Sequence, residues 1–127
     1  PGCTIFVKLW QFDLADRTQV RVDTNTQAFT PDPARAGVEV MSLHRDARED
    51  VVLERWSPGS TIAFDAPGGA ELLVLDGAFT ESGETFQPQS WLRLPKASHT
   101  TLHASDQGAR VWIKRGHLAA TPQPPTP

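Results

Sequence analysis

Four histidines, His44, His99, His103 and His117, are the side chains of this chain best suited to hold a metal or move a proton, because neutral imidazole is a common metal ligand that titrates near neutral pH. His99, Thr101 and His103 recur at every second position, so on a strand they share one face, with Leu102 and Ala104 on the other. Turned inward, that face would supply two imidazoles and a hydroxyl to a small site. His44 stands before the charged run 45–50, Arg-Asp-Ala-Arg-Glu-Asp, which reads as a solvated hairpin, and His117 is expected to be exposed. No Gly-x-Ser-x-Gly elbow anchors a hydrolase triad. Cys3, inside an apolar run, reads as a packed thiol rather than a nucleophile. Pro67-Gly68-Gly69 is a turn and not a phosphate cradle.

The elements that must position these residues are strands. Short runs rich in Val, Ile, Leu, Phe, Thr and Trp alternate with Gly, Pro and Asp, and no window keeps a helical apolar stripe for three turns. The pattern predicts an all-β domain with strands over 4–10, 19–23, 38–43, 51–56, 61–64, 71–75, 78–81, 90–94, 100–104 and 110–115. About ten strands in one domain suggest a sandwich or barrel. Pro58-Gly59, Pro67-Gly68-Gly69, Asp76-Gly77, Ser82-Gly83 and Asp106-Gln107-Gly108 are expected to be the turns between them. Residues 24–37 read as a surface loop, and the proline-dense 119–127 as a flexible tail.

Composition narrows the function. A chain of 127 residues fits one core. A net charge of −3 leaves no basic stripe to drive nucleic-acid or anionic-membrane binding, and no apolar run approaches the roughly 20 residues of a membrane span. A single cysteine fits a reducing cytosol, so a cytoplasmic protein is expected. One internal echo stands out: Gly2-Cys3-Thr4-Ile5-Phe6-Val7-Lys8 and Gly108-Ala109-Arg110-Val111-Trp112-Ile113-Lys114 share the pattern Gly-x-x-aliphatic-aromatic-aliphatic-Lys. Either two strands coincide by chance, or a duplicated parent left its last strand at the start of this chain. Such a strand needs partners for its backbone groups, so a homodimer through it is expected.

The stretch from Trp56 to Gly77 carries the most specific pattern. Leu43-His44-Arg45-Asp46, Trp56-x-Pro58-Gly59, Gly68-Gly69-x-Glu71-x-Leu73-Val74-Leu75-x-Gly77, Ser90-Trp91-x-Arg93, His99 and Val111-x-Ile113-Lys114-x-Gly116-His117-Leu118, in this order, resemble the cupin superfamily, and within it the cupin-like domain of ChrR-type anti-sigma factors. The resemblance implies a double-stranded jelly-roll barrel over 38–118. Residues 1–37 then resemble the end of a preceding cupin that packs on the barrel or on a partner subunit, as in a tandem two-cupin protein.

It also implies a divalent metal held by a His-x-His pair, a Glu and a third His. Aligned on Gly68-Gly69, the pair falls on Phe64 and Ala66 and the Glu on Ala70, so only His99 matches. Glu71 should point opposite to Ala70 and cannot take over without a one-residue slip. The expectation is a metal-free cupin with no cofactor and no catalytic residue. Its apolar pocket would be lined by Phe64, Ala66, Ala70, Leu72, His99, Thr101 and His103 and would take a small molecule or serve regulation. One alternative is a zinc-, iron- or manganese-dependent dioxygenase or isomerase with a site rebuilt from His99, His103 and Glu71, or with His44 or Asp65. The other is a purely structural dimerisation module. A sigma-factor partner is not expected, since no zinc-binding helical segment and no spare cysteines accompany the barrel.

Overall fold

The computed structural model describes residues 2, 5, 27–47 and 49–116. Eight antiparallel strands form one curved sheet: β1 Thr30–Pro31, β2 Val38–Arg45, β3 Asp50–Trp56, β4 Thr61–Ala66, β5 Ala70–Glu81, β6 Glu84–Phe86, β7 Trp91–Leu94 and β8 Ser98–Arg115. The order runs β1-β2-β3-β8-β5-β6, with β4 on β8 and β7 on β5. This is an all-β barrel, as the strand pattern predicts and the resemblance implies. The strands expected over 4–10 and 19–23 lie outside the described residues.

Alternation decides what each strand buries. On β4 the pattern is strict, with Ile62, Phe64 and Ala66 buried and Thr61, Ala63 and Asp65 exposed. Ile62, Phe64 and Ala66 join Trp56, Leu72, Val74, Phe79, Leu102, Val111 and Ile113 in one core inside the barrel. Aromatic rings tie its far end, with Trp56 and Phe79 centroids 5.3 Å apart and Phe79 stacked on Phe86 at 4.9 Å.

Two expected turns are not turns. The runs expected to break at Asp76-Gly77 and Asp106-Gln107-Gly108 are single strands, β5 of 12 residues and β8 of 18. The β5–β8 register slips between Val74 and Asp76 and again between Gly77 and Phe79. Gly77 and Gly108 hold φ of 71° and 78°, and a Cβ on Gly77 would lie 2.1 Å from the Gly108 carbonyl oxygen. The glycines therefore bend two paired strands around the barrel where the sequence suggests reversal. The bend lets β8 pair with β4 through residues 98–103 and with β3 through 109–115.

A second layer lies outside the barrel. Met41 pairs with Leu53, Leu53 with Trp112, Trp112 with Leu73 and Leu73 with Trp91, a row of apolar side chains on the face opposite the core. Met41 and Leu53 are buried, while Trp91 is half exposed.

Candidate functional site

The metal positions come together, but as hydrophobic core. Phe64 and Ala66 from β4 and Ala70 and Leu72 from β5 are all at most 1% exposed. The turn that joins the strands is closed by Gly69 N–H donating to Ala66 O at 3.1 Å. Gly68 passes Gly116 so closely that a Cβ would lie 2.9 Å from its Cα. Ala66, Ala70 and Leu72 expose no surface, which leaves no void beside them large enough for water. The apolar pocket expected at Phe64, Ala66, Ala70 and Leu72 is thus a packed interior.

His99, Thr101 and His103 are not part of it. They stand on the outer face of β8, and the inward positions of that stretch are Leu102 and Ala104. His99 Nδ1 lies 2.7 Å from Asp65 Oδ1, both more than two-thirds exposed, and His103 Nδ1 lies 3.3 Å from Thr61 Oγ1. This corrects the inward reading of that face. The phase of β8 is set by the turn before it, where Ala97 takes φ 65° and the ladder places His99 opposite outward-facing Asp65.

Nor does the rebuilt metal set of His99, His103 and Glu71 form. Glu71 is buried on the outer side of β5, opposite Lys114 and Arg93, and accepts from Trp91 Nε1 at 3.1 Å. Among the described residues, the group with metal-ligand spacing is His44, Asp46 and Glu49 on the β2–β3 hairpin. There His44 Nε2 lies 3.1 Å from Asp46 Oδ2 and 4.0 Å from Glu49 Oε1. The other Glu49 oxygen is held by Lys114 Nζ at 2.8 Å, a cation that competes with any ion there.

What fills the barrel beside Phe64 is a charge cluster. Glu54 shares the inward face of β3 with Val52 and Trp56 and is 1% exposed. Its Oε1 accepts from Trp56 Nε1 at 3.0 Å. Its Oε2 accepts from Arg35 Nη2 at 2.8 Å and Arg115 Nη2 at 3.2 Å. Arg115 follows Ala109, Val111 and Ile113 on the inward face of β8, sits opposite Ala70, and lies 4.5 Å over the Phe64 ring. Arg35 reaches in from the loop before β2, where its Nε donates to Asp32 at 2.9 Å. Burial pulls the Arg35 pKa down, but the hydrogen bonds and charges of Glu54 and Asp32 together hold it above its usual value. Asp32 is held below its usual value, first by the Ala34 backbone N–H and then by Arg35. The sequence carries one signal for this cluster, an acidic residue at the core phase of the run Val51-Val52-Leu53-Glu54-Arg55-Trp56, which demands buried partners.

The sequence profile of the ChrR cupin-like domain matches residues 17–119. The chain belongs to this family. No curated protein matches the chain, but solved structures share the cupin fold. A Ralstonia eutropha protein of unknown function with a cupin-like fold superposes with a TM-score of 0.66 at 16% identity, covering 80% of this chain and 68% of that one. The acetylacetone dioxygenase of Acinetobacter johnsonii gives 0.64 at 12% identity, covering 91% and 79%. The Rhodobacter sphaeroides anti-sigma factor ChrR, solved in complex with SigE, gives 0.64 at 16% identity, covering 73% of this chain and 51% of that one. Within the ChrR cupin-like fold, this chain puts a phenyl and two methyl groups at three of the four positions where the resemblance expects metal ligands, and the fourth, His99, stands on the outer face. The residues present do not fit a metal at the barrel centre.

Proposed function

We propose that this chain is a metal-free cupin acting as a recognition or regulatory module. One observation carries the reading: Phe64, Ala66 and Ala70 stand at three of the four expected ligand positions, packed without space for an ion, and the fourth residue, His99, points away from them. The side chains at these positions count against a metal-dependent dioxygenase or isomerase reaction at this point of the barrel. Metal analysis of the purified protein tests the reading. The expected result is well under one equivalent of zinc, iron, manganese or nickel, unchanged by His99→Ala. One equivalent retained through purification overturns it.

A role in protein interaction is favoured by the outward row that ends at Trp91, 50% exposed beside Leu73 and near Leu75, 39% exposed. Exposed tryptophan is an enriched anchor of protein interfaces. A homodimer is the simplest partner. Light scattering should then give twice the monomer mass and, for Trp91→Asp, the monomer mass; a monomeric parent protein would exclude it. No helix among the described residues is long and apolar enough to cross a membrane.

A further inference from the structure

We infer that the cluster of Arg115, Arg35 and Glu54 is an anion site at the barrel mouth, and that its ligand is a small molecule presenting a carboxylate. This rests on the metal-free reading, since Arg115 lies against the two residues, Phe64 and Ala70, that would otherwise belong to a metal centre.

Both guanidiniums converge on one carboxylate oxygen, Glu54 Oε2, at 2.8 and 3.2 Å. Glu54 and Asp32, the latter 2.9 Å from Arg35 Nε, together balance the two guanidinium charges, so what the cluster offers a ligand is N–H donors rather than net charge. Arg115 brings five N–H donors. Among the described residues it spends one, on Glu54, although its side chain is only 24% exposed. Buried donors call for acceptors. Arg35 spends two of its five, on Asp32 and Glu54, and is 21% exposed. Both donate to the same atom, so the two guanidiniums are neighbours, and each keeps part of its side chain exposed. A planar carboxylate matches the fork of a guanidinium in two parallel bonds. The Phe64 ring, 4.5 Å from the Arg115 guanidinium carbon, restrains that side chain, which limits the ordering cost of binding.

Glu54 also provides the reporter. Trp56 Nε1–H donates to its other oxygen, so any redistribution of charge on Glu54 moves the Trp56 indole resonance. The test is titration of the full chain with sodium benzoate at constant ionic strength, following that resonance in a nitrogen–proton correlation spectrum assigned with Trp56→Phe, on a sample of known metal content. A saturable shift is expected, with the dissociation constant raised at least tenfold in Arg115→Gln and in Arg35→Gln and unchanged in Arg110→Gln, whose side chain is on the outer face. If Arg115→Gln loses its dispersed spectrum, Arg35→Gln, on a loop, decides alone. The inference is overturned by absence of a saturable shift, by an equal affinity in the Arg35 variant, by inorganic phosphate binding as tightly as benzoate, or by an acidic peptide binding where benzoate does not. A metal-free sample that ignores benzoate sinks this site and leaves the metal-free reading standing. A sample with one equivalent of metal sinks both.

Discussion

The two faces of the β4–β8 ladder differ in everything that determines what a histidine can do there. Inside, Phe64, Ala66 and Leu102 are at most 1% exposed and locked by neighbours on every side. Outside, one residue along, Asp65 and His99 form a 2.7 Å pair that is more than two-thirds solvated. The backbone is shared, so the contrast comes from the pleat alone. Chemistry that resides in an imidazole needs it fixed and shielded, and the pleat has sent both β8 histidines to the wet side.

Experiments that strike the inner face should have the largest effects. Phe64→Ala removes a buried ring and the surface under Arg115, and is expected to cost about 3–5 kcal/mol in urea unfolding. A cost below about 1 kcal/mol would mean that the interior is looser than the packing indicates. Glu54→Ala leaves two mostly buried guanidiniums without their shared acceptor and should cost about 3 kcal/mol, whereas a neutral result would detach the cluster from stability. Rebuilding the ligands as Ala66→His with Ala70→Glu forces volume into a space with none to spare. About 1–3 kcal/mol of destabilisation per site is expected, and a stable variant that takes up zinc would erase the distinction between the faces.

Smaller effects should come from the outer face and the loop. Asp32, whose pKa is lowered in the fold, contributes stability that is present above its ordinary value of 3.8 and is lost as pH falls through the lower folded value. Unfolding free energy should therefore drop more steeply with acid for the parent protein than for Asp32→Asn, as a pH series of melts would show. His99→Ala should change stability by no more than about 0.5 kcal/mol, as fits an exposed pair. A loss of several times that would place His99 in a structural role.

The all-β barrel was legible from sequence, as was the alternation of β4, while the short β1 and β6 carry too few residues to show a pattern. Core residues such as Ile62, Phe64, Leu72 and Val111 follow from apolar alternation between glycine and proline punctuation. The face taken by His99 was also available in that alternation, since Leu102 and Ala104 are the apolar members of their stretch. Alignment to the family's ligand position pointed the other way, because phase has to be counted through a turn, and Ala97 at φ 65° shifts it. The long β5 and β8 were hidden because Gly at positive φ bends a paired strand as readily as it ends one. The Arg35–Glu54–Arg115 cluster spans 80 residues of sequence. A lone buried-phase Glu announces that partners exist, but only the closed barrel says which arginines they are.

The long β8 has a consequence for how the molecule is made. Its last seven residues pair with 50–56, about 60 positions earlier, and its first six close β4. Three of the other seven strands, β3, β4 and β5, thus wait for the same late segment, so the barrel cannot close before residue 115 is available. Such non-local pairing is associated with slow folding, and with sheet edges that stay open to other chains in the interval. A nascent chain should hold the β2–β3 hairpin and the β5–β6 and β5–β7 pairs as separate, unsupported pieces and snap shut only when β8 arrives, which makes the moment of synthesis, rather than the finished barrel, its point of greatest vulnerability.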